Sequence, residues 1–179
     1  MSQEMNDPAS WRVMYDSANP SAIPNGALMV AGYVYPSRYA AAWLGPEGFA
    51  RFPDRPHVHI TVAGREPNAE LASVVDVESG AFTPRQARAF IRERGFFRPG
   101  SATVYVDESN LASVLRACSG LDYWIWLAWW LGAEPSLAAV QSIQDELAPY
   151  KTVRLAAWQH STTPGYDISS VIDPRWHSK

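Results

Sequence analysis

Residues 122–130 read DYWIWLAWW, a run in which only the first residue is charged. Successive side chains of a strand point to opposite faces, so Tyr123, Ile125, Leu127 and Trp129 share one face, and Trp124, Trp126, Ala128 and Trp130 share the other. Both faces are apolar and both need cover. That pattern belongs to a parallel sheet with a layer on each side, not to an antiparallel sheet with one wet face.

Seven other runs have a similar character: WRVMYDS (11–17), ALMVAGYVYP (27–36), HVHITVAG (57–64), LASVVDVESG (71–80), SATVYVDES (101–109), TVRLAAWQHS (152–161) and the short GYDISSV (165–171). Helical segments lie between several of them. Thr83 and Pro84 form an N-cap and first helical position for PRQARAFIRERG, which runs to Gly95. Ser109 caps SNLASVLRACSG, Pro135 starts PSLAAVQSIQDELAP, and a weaker helix fills SRYAAAWLGPEGFARF. This alternation predicts an α/β fold, a TIM-like (β/α) barrel of up to eight parallel strands. The connections at 17–26 and 64–70 are too short for full crossover helices, so some helices are expected to be missing or shortened.

With 179 residues the chain suits one domain with a substantial core, read as residues 11–179 behind a flexible N-terminal arm at 1–10. A net charge of −3 offers no basic footprint for a phosphate backbone, so nucleic acid is not an expected partner. No apolar run reaches the roughly 18 residues that suggest a membrane span, and the N-terminus MSQEMNDPAS lacks the basic start and apolar stretch of a signal peptide. The expectation is a chain made in the cytoplasm, with no membrane insertion. Cys118 is alone, which leaves no internal disulfide and reads as a small buried hydrophobe. Eight Trp and eight Tyr build a core and also provide platforms for sugar rings.

In a parallel barrel, the C-terminal strand ends converge on one mouth, and chemistry gathers there. Asp16 ends the first run, Asp76 and Glu78 the fourth, Gln159 the seventh, and Asp167 belongs to the last. Asp76 and Glu78 are two residues apart, so they share a face and repel each other. Crowded carboxylates cannot all ionise cheaply, so at least one pKa rises. The residues alone leave open which acid keeps the proton. An acid and a second carboxylate are what glycoside hydrolysis needs.

This order resembles glycoside hydrolase family 25, the lysozyme family of phage endolysins and bacterial autolysins, and the related actinobacterial glycoside-hydrolase-like domains. The resemblance rests on Asp16 at strand one, Asp76-x-Glu78 at strand four, a Trp-containing strand six, and AAWQHSTTPGYD (156–167), similar to that family's WQY…D ending. It spans about residues 11–173. Gln159-His160 stands where the family has Gln-Tyr, and YDSANP where it has Asp-Val-Ser.

The resemblance implies cleavage of the β-1,4 bond between N-acetylmuramic acid and N-acetylglucosamine in bacterial peptidoglycan, with no metal or cofactor. Glu78 would be the general acid, Asp76 the partner that orients the acetamido group or acts as nucleophile, and Asp16 and Asp167 supporting acids. Action would be at the cell wall, after release or as part of a virion. The alternative is an inactive glycan-binding or virion structural module on the same barrel.

Tyr33, Tyr35, Trp158 and either Trp129 or Trp130 are candidate sugar platforms, Gln159 a polar contact and Asp107 a rim candidate, although Asp107 also suits helix capping. His57-x-His59 has the form of a metal pair but begins its strand, which places it at the opposite mouth.

Overall fold

The computed structural model describes residues 8–62, 64 and 66–177. Eight strands close into a barrel in sequence order: β1 (Arg12–Asp16), β2 (Val30–Tyr33), β3 (His57–Thr61), β4 (Val74–Val77), β5 (Thr103–Asp107), β6 (Tyr123–Ala128), β7 (Val153–Thr163) and β8 (Tyr166–Val171). Seven fall within one of the eight apolar runs, and β7 runs two residues past the end of its own. β1 to β7 pair in parallel, whereas β8 is antiparallel to both β7 and β1.

The reversal of β8 corrects the all-parallel expectation, and its cause is local. β7 and β8 are joined only by Pro164 and Gly165, with Gly165 at φ +113°. A parallel connection needs a dozen residues or more, whereas two residues make a hairpin.

Among the described residues four α-helices accompany the strands: α1 (Ala40–Leu44), α2 (Pro84–Phe97), α3 (Glu108–Ala117) and α4 (Leu137–Leu147). Thr83 caps α2 in a full capping box with Gln86, as the Thr-Pro start implies. The helix passes through Gly95 and stops at Arg98, immediately before Pro99, where a preceding residue disfavours helical geometry. The cap of α3 is Asp107, not Ser109, and that of α4 is Ser136, one residue after Pro135. The predicted weak helix at 37–52 reduces to α1 and a 3-10 turn at Phe49–Arg51.

Among the described residues, the connections from β1 to β2 and from β3 to β4 hold no α-helix, in keeping with their length. Of the expected N-terminal arm, residues 1–7 lie outside the described residues. Pro8–Ser10 form a 3-10 turn rather than a loose segment. No helix among the described residues is long and apolar enough to cross a membrane.

The two apolar faces read from β6 become two cores. Ile125 and Leu127, with Val75, Val77, Val104 and Val106, form an outer layer under α2, α3 and α4. Cys118 lies fully buried in that layer, and burial pushes its thiol up to about 11. Trp124, Trp126 and Ala128 instead fill the barrel with Met14, Met29 and Val74. Over β1 and β2, Trp43 of the short α1 supplies the cover with Ile23, Val30 and Phe52. Its indole lies directly on Gly32, and a Cβ at that glycine would sit 2.1 Å from the ring.

Below the inner core, β8 delivers the chain to the N-terminal end of the barrel. Trp176 plugs that end, its Nε1 donating to Thr103 Oγ1 at 2.9 Å.

Candidate active site

At the other end of the barrel the strands bring four carboxyls into one cavity of ≈150 Å³: Asp16, Asp76, Glu78 and Asp167. Alternation accounts for the first three. Met14 faces the interior, so Asp16 does too; Val74 faces the interior, so Asp76 follows and Glu78 continues on the same side. The turn beyond β4 is pinned by Phe82 N–H donating to Asp76 O and Ala81 N–H to Glu78 O, with Gly80 at φ +86°.

Asp167 arrives by a different route. It is the second residue of its strand, and in a parallel β8 it would lie at the opposite mouth. Because β8 runs backwards, Asp167 stands in register with Asp16 at the rim. Like charges directly opposite in an antiparallel pair destabilise the sheet.

Gln159 also lines the cavity, by virtue of a bulge. The β6–β7 register shifts between Ile125 and Trp126, which pair with Leu155 and Ala157. Ala156 and Ala157 then both face inward, Trp158 turns outward, and Gln159 enters the site. Tyr33, Tyr105, Trp126 and Trp130 complete the walls. Trp130 stands at the mouth, 49% exposed.

The electrostatics follow from depth. Burial, then the charges of Asp167, Asp76 and Glu78, pushes Asp16 well above the ordinary carboxyl range. Asp76, 6% exposed, is pushed up to about 8 by burial and by Glu78 and Asp107. Burial also raises Glu78, opposed by a hydrogen bond from Tyr105 that favours the ionised form. Asp167 is raised by burial against a hydrogen bond from Thr162.

Asp16 Oδ1, Asp76 Oδ1 and Gln159 Oε1 are buried without a hydrogen-bond partner among the described residues. Buried polar atoms are normally satisfied, and unsatisfied ones mark strain or function. A cluster of this kind holds protons into the neutral range and presents polar atoms that a ligand can satisfy.

The other sequence candidates lie elsewhere. Trp158 is fully buried in the outer core, its Nε1 donating to Trp129 O at 3.1 Å. Trp129 stacks on it at 5.4 Å and also packs outward, so neither lines the cavity, whereas the candidate Trp130 does. Tyr35 is exposed in the loop after β2, outside the cavity. Asp107 caps α3, accepting from Asn110 N–H and Ser109 Oγ, both at 2.8 Å, and reaches the site through its charge alone.

His57 and His59 flank Phe49 on the outer side of β3, at 4.9 and 4.6 Å between ring centres. Among the described residues no group of three or more His, Cys, Asp or Glu is arranged to hold a metal ion. Tyr105 and Trp126 are wall residues the sequence reading did not single out. Tyr105 stands two residues before Asp107 and in register with Asp76, so the alternation used for Asp76 would have found it.

No protein-family model, no curated protein and no solved structure matches this chain.

Proposed function

We propose that the chain is a glycoside hydrolase of the family 25 type, built on a TIM-like barrel whose last strand is reversed. Its substrate is bacterial peptidoglycan, cut at the β-1,4 bond between N-acetylmuramic acid and N-acetylglucosamine, as by a phage endolysin or a wall hydrolase acting at the cell wall. One observation carries this reading: carboxyls from β1, from the end of β4 and from β8 meet in a single cavity, with buried oxygens left unpaired.

The chemistry divides by position. Hydrolysis needs a proton for the leaving oxygen and a second carboxyl to support the oxocarbenium-like centre. Glu78 and Asp167 are both partly exposed and within reach of a bound glycan, and by the family resemblance Glu78 serves as the proton donor. Asp76 lies deeper and orients the substrate's acetamido group or acts as nucleophile. Of the two supporting acids, Asp167 when ionised raises the proton affinity of its neighbours and stabilises developing positive charge on the sugar, and Asp16, which burial keeps protonated, is a hydrogen-bond donor beside it. Trp130 and Tyr33 offer ring faces and edges to the substrate.

The test is release of reducing ends from purified peptidoglycan, lost in Glu78→Gln while the circular dichroism spectrum stays native. Wild-type protein that releases none from several walls, actinobacterial ones included, overturns the proposal.

The cavity's size favours a second reading. At ≈150 Å³ it is smaller than the roughly 300–1,000 Å³ of typical ligand sites, so it admits one sugar substituent and leaves the rest of a glycan on the rim. A glycan-binding module would retain wall fragments without cutting them, and Glu78→Gln would not change that retention.

A further inference from the structure

The barrel carries a second cavity at the end opposite the carboxylates. It measures ≈340 Å³ and lies between the last turn of α2, the segment before β5 and the tail after β8. None of the described residues lining it is acidic, and three of them are arginines: Arg94, Arg98 and Arg175.

Arg175 is neutralised by a bidentate pair with Asp173. The other two are not. Arg94 is 5% exposed and donates only to neutral acceptors: Nη1 to Ala69 O at 3.0 Å and Glu70 O at 3.1 Å, and Nε to Ser101 Oγ at 3.1 Å. Among the described residues its Nη2 has no acceptor, and neither Arg94 nor Arg98 pairs with a carboxylate.

Arg98 lies one turn beyond Arg94, and the two charges repel. His177, on the facing tail, is held neutral: burial, then the charges of His59 and Arg94, brings it down to about 4. The C-terminal dipole of α2 offsets part of this positive charge but places no acceptor on Nη2.

A buried guanidinium without a counter-charge is unfavourable unless an anion supplies one. A carboxylate engages one guanidinium through its two oxygens. A phosphate monoester has three free oxygens and a diester two, set tetrahedrally and not in one plane, so either can face two guanidiniums at once. The cavity is wider than an inorganic anion requires, and the ring of Trp124 forms a wall against which an organic substituent can lie.

We propose that this cavity is a phosphate-binding site in which Arg94 and Arg98 hold the phosphate of a monoester or diester. Such a group comes either on a free metabolite or on a lipid headgroup. Phe96 and Phe97 immediately precede Arg98, and Phe96 is 85% exposed, so the lipid source belongs in the test.

Arg94 also holds the carbonyls of residues 69 and 70, so the variant is made at the exposed Arg98. Titration of the full chain with inorganic phosphate at constant ionic strength, followed by calorimetry and by thermal unfolding, is expected to show binding and a raised Tm. Arg98→Glu weakens that binding about tenfold or more.

In parallel, sedimentation with phosphatidylcholine vesicles, with and without phosphatidylglycerol, separates the sources. Phosphatidylglycerol-dependent sedimentation that is lost in Phe96→Ser/Phe97→Ser assigns the site to a lipid phosphate. Phosphate binding without sedimentation assigns it to a free ester. No response to either probe, or a response that Arg98→Glu leaves unchanged, overturns the proposal.

Discussion

Replacing Asp76 with Asn should make the fold more stable at neutral pH, although it alters the centre of the candidate site. An aspartate titrates near 3.8 in an unfolded chain, and burial with Glu78 and Asp107 beside it moves Asp76 to about 8 in the fold. Between those values the folded chain holds a proton that the unfolded chain has released. Stability therefore falls as pH rises through that window and levels off above it.

Each pH step of one costs about 1.4 kcal/mol, so by pH 7 the loss from Asp76 amounts to about 4 kcal/mol. Asp16, raised by the same burial, acts in the same direction. An Asn side chain is neutral at every pH and escapes the penalty. Urea unfolding followed by tryptophan fluorescence from pH 4 to 8 should show a wild-type midpoint that falls with pH. The Asp76→Asn midpoint should fall less and exceed wild type by a widening margin. A wild-type midpoint that rises over this range, or an Asn variant less stable than wild type at pH 7, would refute the reasoning.

Gly32→Ala places a methyl group inside the Trp43 ring and should cost about 3 kcal/mol, read as a lower urea midpoint. Trp43→Leu in the same chain should recover part of that loss, because the two positions share one space. Trp158→Ala should destabilise by about 3–5 kcal/mol, since that ring is fully buried in the outer core. Trp130→Ala, by contrast, should leave the unfolding midpoint nearly unchanged and weaken retention on peptidoglycan about tenfold, measured by pull-down.

The alternation of side chains explains both what the sequence made legible and where it misled. All eight strands were legible as apolar runs, with only β7 outrunning its own, because a strand buried on both faces has little room for polar residues. The same rule puts Asp76 and Glu78 on one face, and its place at a strand end puts Asp16 at the same mouth. Asp167 was expected at the rim of a parallel barrel, yet it reaches the rim only because β8 is antiparallel. The two-residue Pro164-Gly165 link was the visible sign of that reversal.

Trp158 and Gln159 were both expected to meet substrate, but neighbouring residues of one strand cannot share a face. The bulge at Ala156 and Ala157 decides between them, and nothing in a pair of alanines marks where a strand will bulge. Trp129 and Trp130 were both candidates from their place near the strand end. Extending the β6 alternation by two residues would have chosen Trp130. The basic cavity at the far end was not legible at all, because it assembles residues from α2, the β5 approach and the tail after β8.

The measurement closest to the central claim is the release of reducing ends from purified peptidoglycan by the wild-type chain and by Glu78→Gln, with fragment masses determined. The account predicts muramic-acid reducing ends from the wild type and none above background from the variant. Equal release by the two proteins, or none by either, would contradict it.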